Sequence, residues 1–447
     1  MMNMFGGRRK LTKVVVSIPV ILALMSGCSK EASPGPEKPP APQGADSFDT
    51  SKPVKLSLYM GLLQPDEWIQ KHIIGPVQKK YPNISIDIVR KGKGTNPDEL
   101  VVAGMFPDLI YESIPRYTPY KDLGLLYDMN DMIKKYKFDV GKLNPVVVDA
   151  LKVWGSGGEL YHMPLWMNFT ALYYNKDIFD KFGVAYPKDG MTWDEAIELS
   201  KSLTRTQDNV AYRGLDPTSI TGMAHQLGLN FVDPKTNQAL LENDGFKRIF
   251  QTFLTAYKIP GNEMRGVSRD TFLKDRTMAM YPFYADMVTL LADSAAKGAP
   301  VNWDMASLPS FPERPGIGYE VDSHNLSISS SSQNKDAAFM VVSYLTSLEP
   351  QLELSKSGYL PVTTDPEPLK SFGANQPELK GKHLDAIFKT KPAPFHKFTP
   401  YDSLATGRLS PALAEAEKGK DINTALREAS EAANKLIQEK LAATAAK

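Results

Sequence analysis

Apolar and polar residues alternate along Val54-Lys55-Leu56-Ser57-Leu58-Tyr59, the period of a strand with one face more buried. From Asp66 to Tyr81 the period changes, with Trp68, Ile69, Ile73 and Val77 at helical spacing and Pro82 as the stop. Ile84–Ile88 alternates again. Asn96-Pro97-Asp98-Glu99 predicts a helix start, and Asp108–Tyr111 is short and apolar after Pro107. Strand, helix, strand, helix, strand within about sixty residues predicts α/β units on a largely parallel sheet.

The mixture continues. Ala171-Leu172-Tyr173-Tyr174 reads as a strand, and Thr192-Trp193-Asp194-Glu195 as a capping box opening a helix through Leu203. Ser329–Ser332 is a polar break before a helix over 336–348. Ile422, Ala425, Leu426, Ala429, Ala433, Leu436 and Ile437 form one helical stripe near the C-terminus. No internal repeat is evident.

One apolar run differs from the rest. Val14–Met25 carries no charge and follows Arg8, Arg9, Lys10 and Lys13, the layout of a secretory signal. It is too short to span a bilayer, which takes about 20 apolar residues. Ser26-Gly27-Cys28 resembles the bacterial lipobox, with Met25 where Leu is usual, and Cys28 is the only cysteine in the chain. The expectation is a signal over 1–27 and lipidation of Cys28. Residues 28–53 are too poor in apolar side chains to offset the entropy of ordering, and read as a disordered tether.

Composition then narrows the remainder. Hydrophobic residues at 42% and charged residues at 23% are globular values. Beyond the signal, 48 basic residues face 51 acidic ones with no basic arm, so nucleic acid is not an expected partner. The six histidines show no metal-ligand spacing, no nucleophile elbow occurs, and the one thiol is committed to the anchor. Neither a cofactor, a metal nor a catalytic residue is expected.

Several segments, in order, resemble the extracellular solute-binding proteins of ABC importers, the maltose-binding-protein-like, carbohydrate type. They are "FPDLIYES" (106–113), "YHMPLWMNFTALYYNKDIFDKFGVAYPKDGMTWDEAIELSKSLT" (161–204), "FLKDRTMAMYPFYADM" (272–287) and "KDAAFMVVSYLTS" followed by "SGYLPVTTD". Departures include Asp275 for a usual Gly and Tyr284 for a usual Trp. The resemblance implies an α/β, two-lobed periplasmic-binding-protein-like fold with a hinge and an interlobe ligand cleft. One lobe would comprise 54–163 plus 314–362, the other 164–313 plus 363–447.

It also implies a non-enzymatic, monomeric receptor on the outer face of the cell membrane. That receptor takes a sugar or oligosaccharide to an ABC permease, and meets the membrane through its lipid alone. Strand ends and lobe crossings suggest the ligand contacts: Tyr59, Glu112 and Ser113; Trp166, Asn168 and Phe169; Phe283, Tyr284 and Asp286; Asp322 and His324. Aromatic faces for sugar rings and carboxylates for hydroxyls are what such a pocket needs. Each has a packing alternative, Tyr59 and Tyr284 as core aromatics above all. The same fold binding a polyamine, a peptide or another small solute such as a metal complex is the first competing function, and a surface glycan-degrading enzyme the second.

Overall fold

A computed structural model describes residues 48–155, 157–263 and 268–445. The expected signal, Cys28 and the tether up to residue 47 lie outside the described residues. Among those described, no helix is long and apolar enough to cross a membrane.

Among the described residues, twelve strands run in chain order: β1 (Val54–Met60), β2 (Ile84–Arg90), β3 (Leu109–Ser113), β4 (His162–Met167), β5 (Thr170–Asn175) and β6 (Arg205–Gln207). They continue with β7 (Val210–Leu215), β8 (Met278–Tyr284), β9 (Trp303–Ser307), β10 (Ile317–Glu320), β11 (Ser323–Ile328) and β12 (Lys391–Ala393). Two five-stranded sheets result, in the orders β2-β1-β3-β11-β4 and β6-β7-β8-β5-β9, and β10 pairs with β12 alone. In the first sheet β1 is parallel to β2 and β3, while β11 runs antiparallel between β3 and β4. In the second, β7 and β8 are parallel and β5 is antiparallel to β8 and β9.

The chain passes from the first sheet to the second at Asn168-Phe169, between β4 and β5, and returns between β9 and β11. Its last helices, Asp402–Glu417 and Ile422–Ala445, pack against Asp244–Tyr257 beside the second sheet. The fold is therefore built on two sheets joined by short crossing strands.

Local structure follows the side chains. Leu58, Tyr59 and Met60 are all buried, because the end of β1 is covered on both faces, which erases the alternation seen at its start. The helix expected over 66–81 forms, but through a wider π turn at Gln70–Ile74. Pro76 follows that turn and has no N–H to close a regular bond to His72. Both expected helix starts are capped: Glu99 accepts from Asn96 N at 2.9 Å, and Glu195 from Thr192 N at 2.7 Å. The helix expected over 336–348 is two, Lys335–Leu345 and Leu348–Lys356, because the chain breaks at Thr346-Ser347.

One amide ties the second sheet to its covering helix. Asn262, fully buried, accepts from Gly214 N (3.1 Å) and Leu215 N (3.3 Å) in β7, and donates to Leu215 O (2.8 Å) and Ala256 O (2.9 Å). Asn262→Ala strands these buried backbone groups and should cost about 2–4 kcal/mol in urea unfolding. A loss below about 0.5 kcal/mol, the range of a neutral surface change, would contradict that role.

Candidate functional site

A cavity of about 830 Å³ opens where the C-terminal ends of the parallel strands of the first sheet face elements beside the second. One wall carries Glu112 from the end of β3, with Arg116 and Tyr120 from the turns after it. The opposite wall carries His225 of the helix Ile220–Leu227, Phe231, and the loop after β12 with Phe395, His396 and Phe398. Tyr284 at the end of β8, Glu320 at the end of β10 and Asp322 just after it also line it. Contacts between the walls include Lys440 Nζ, 3.2 Å from Asp122 Oδ2, and the Phe398 ring, which stacks on Trp154 at 5.8 Å.

The crossing itself is held by Asn168. Its backbone N donates to Asp322 O (2.9 Å) and its Nδ2 to Asp322 Oδ2 (3.3 Å). Its Oδ1 accepts from Ala285 N and Phe169 N, both at 3.1 Å. Three chain segments thus meet on one side chain. Asn168 and Phe169, with Tyr284 and Asp322, line a second cavity of about 510 Å³.

The cleft carboxyls are shielded to different degrees, Glu112 buried and Asp322 half-buried. A Cβ on Gly61 would lie 2.3 Å from Glu112 Oε2 and 2.5 Å from the Tyr120 hydroxyl, so only glycine fits there. Burial pushes the Glu112 carboxyl up to about 7, against the Ser113 N–H that it accepts at 3.1 Å. Burial likewise pushes Asp322 up to about 7, and its Oδ1 is buried with no hydrogen-bond partner. On the far wall burial favours neutral His396, but hydrogen bonds to Asp402 and Glu320 outweigh it and bring the imidazole up to about 9. Neutral carboxyls here donate as well as accept, which suits hydroxyl groups.

Of the residues picked out from sequence, the large cavity brings together Glu112, Tyr284 and Asp322. Trp166 and Asp286 border a small void beside Tyr359 instead. Tyr59, Ser113, Phe283 and His324 line none of these cavities. The Tyr59 hydroxyl donates to Thr95 O (2.9 Å) within the core. His324 stacks on Trp166 at 3.8 Å and meets the Tyr111 hydroxyl at 2.8 Å, and burial pushes it down to about 3. Phe283 stacks on Tyr281 at 5.4 Å.

Sequence reasoning missed Arg116, Tyr120, His225, Glu320 and the loop "PFHKFTPYD" (394–402). Two phenylalanines and a histidine in a proline-rich loop were the available signal for the last.

This geometry defines a two-lobed binding fold with its cavity between the lobes. The chain matches the bacterial extracellular solute-binding proteins over residues 61–352 and belongs to that family. The family is one of extracytoplasmic binding proteins rather than enzymes. A relative, the multiple sugar-binding protein of Streptococcus mutans, is 27% identical over 173 residues. The match spans 38% of this chain and 38% of that protein, so the chain covers well under half of that curated relative's length.

Among solved structures, a sugar transporter from Rhizobium etli in an open conformation superposes with a TM-score of 0.69 at 20% identity. It covers 85% of this chain and 99% of that one. An ABC substrate-binding protein from Listeria monocytogenes in complex with cycloalternan gives 0.68 at 20% identity, covering 87% and 100%. At such identities these likenesses establish the fold.

The folded protein holds the Glu112 proton more tightly than the unfolded chain does, since its carboxyl rises from 4.5 to about 7. The resulting stabilisation is present below about pH 4.5 and is lost as pH rises through about 7. Glu112→Gln removes that loss. Relative to the parent, the variant should be about 2–3 kcal/mol more stable at pH 8 than at pH 4.5 in urea unfolding. An equal difference at both pH values would contradict the buried carboxyl.

Proposed function

We propose that this chain captures a sugar or oligosaccharide in the cleft and delivers it to an ABC permease. The observation that carries this reading is the cavity of about 830 Å³, which joins aromatic faces to hydroxyl-matching carboxyls between two walls. Tyr120, Tyr284, Phe231, Phe395 and Phe398 offer rings for the apolar faces of sugars. Glu112 and Asp322, held near neutrality, take hydroxyls by donating or accepting. A polyamine would find its best partners in fully ionised carboxylates, which burial disfavours here. The sugar-binding names among the relatives point the same way.

In this reading the lobes divide by sheet, with β1–β4 and β11 in one and β5–β9 in the other. Ligand that prefers the closed arrangement shifts the equilibrium toward it, and the closed form docks on the permease. A monomer is sufficient. A lipid on Cys28, left at the N-terminus once the signal is removed, would hold this receptor on the outer face of the membrane beside its transporter.

Thermal unfolding of the purified protein against mono- and oligosaccharides, polyamines and short peptides tests the ligand class. At a hundredfold its dissociation constant, a ligand adds about 2.7 kcal/mol of stability. The expected result is a raised midpoint with one sugar class, and the sugar recovered intact. Shifts with amines or peptides alone would overturn the ligand, and recovered fragments would overturn the binding-only role. Tyr284→Ala should weaken the responding sugar about tenfold or more, equivalent to about 1.4 kcal/mol of lost ring contact.

A further inference from the structure

Three side chains from distant parts of the chain converge on the far wall of the cleft. His225 comes from the helix Ile220–Leu227, Glu320 from the end of β10, and His396 from the loop after β12. One potential ligand atom from each of His225, Glu320 and His396 lies within 4.8 Å of the other two. Glu320 Oε2 is 2.7 Å from His396 Nδ1 and 3.3 Å from His225 Nε2. The His225 and His396 rings lie nearly parallel, 5.1 Å apart.

We propose that His225, Glu320 and His396 form a binding site for a divalent transition-metal ion of the zinc class, with a fourth coordination position open to the cleft. Three observations carry it. First, His225 Nε2 is buried and makes no hydrogen bond, although the Glu320 oxygen is near. A buried nitrogen without a partner is costly, and a metal ion is one group that satisfies it.

Second, His396 is oriented from behind. Its Nε2 shares a 2.9 Å hydrogen bond with Asp402 Oδ2, and Asp402 is fixed by Thr399 Oγ1 (2.8 Å) and Thr399 N (3.0 Å). A carboxylate on the outer nitrogen is the arrangement that aims a metal-ligating imidazole. Third, the scaffold is tight. β10 pairs with β12 at Glu320 and Ala393, and the helix bearing His225 lies so close to β10 that a Cβ on Gly222 would come within 2.7 Å of the Tyr319 ring.

Two imidazoles and one carboxylate suit zinc, and an all-oxygen ion such as magnesium poorly. Bonds of about 2.0–2.2 Å to all three residues require the nearly parallel His225 and His396 rings to turn toward a common point. The ion takes the place of the proton between His396 and Glu320, so uptake releases a proton. Because all three residues line the cavity, the open position faces any solute held there. This inference rests on the triad and not on which solute the cleft takes.

Isothermal titration of the full-length protein, stripped of metal by a chelator, with zinc chloride and separately with magnesium chloride tests it. One zinc ion per chain is expected, with no comparable magnesium uptake. His225→Gln should weaken zinc binding at least 100-fold and Asp402→Asn about 10–100-fold. His383→Gln, which removes an exposed histidine paired with Asp189, should change nothing. Cobalt(II) absorption on the unmutated protein gives a reading independent of variant folding, with visible bands of a low-coordinate nitrogen and oxygen site. No zinc uptake, zinc uptake unchanged by His225→Gln and Asp402→Asn together, or an octahedral cobalt spectrum would each overturn the site.

Discussion

The cleft depends on how the chain crosses between two sheets without leaving buried backbone groups unpaired. Asn168 solves this at the crossing between β4 and β5. One side chain and its own N–H serve Asp322, Phe169 and Ala285, which belong to three separate passages of the chain. Buried peptide groups must find partners, so a crossing made of short strands needs such a clasp. With the clasp in place, the C-terminal ends of β2 and β3 face the helix and loop that carry His225 and His396.

The second constraint is electrostatic. Desolvation raises the carboxyls of Glu112, buried, and Asp322, half-buried, to about 7, whereas His396 is held charged between Asp402 and Glu320. The two walls therefore offer different chemistry. The first presents groups that donate or accept with little net charge beside aromatic rings. The second presents a compact cluster of imidazoles and carboxylates. A neutral polyhydroxyl solute matches the former, and the latter is equipped to hold an ion next to it.

Much of the fold was legible in the sequence. The strands near 54, 84, 109 and 171, both capped helix starts and the C-terminal stripe appear in place, because each rests on local period or capping chemistry. The site was legible in part. Glu112, Tyr284 and Asp322 reach the large cavity, each at or just beyond the end of a strand that borders it. Tyr59 and His324 occupy similar places in their strands, yet both turn into the core, and burial on both faces leaves no alternation to reveal it. The triad was invisible for another reason. Glu320 and His396 stand 76 residues apart, and only the pairing of β10 with β12 brings them together.

The central claim is that a carbohydrate held between the walls draws the two lobes together. Small-angle X-ray scattering of the purified protein, without and with a saturating oligosaccharide identified by binding, tests this most directly. The account predicts a smaller radius of gyration with the sugar, reversed when the sugar is dialysed away. An unchanged scattering curve at proven saturation would contradict capture by closure.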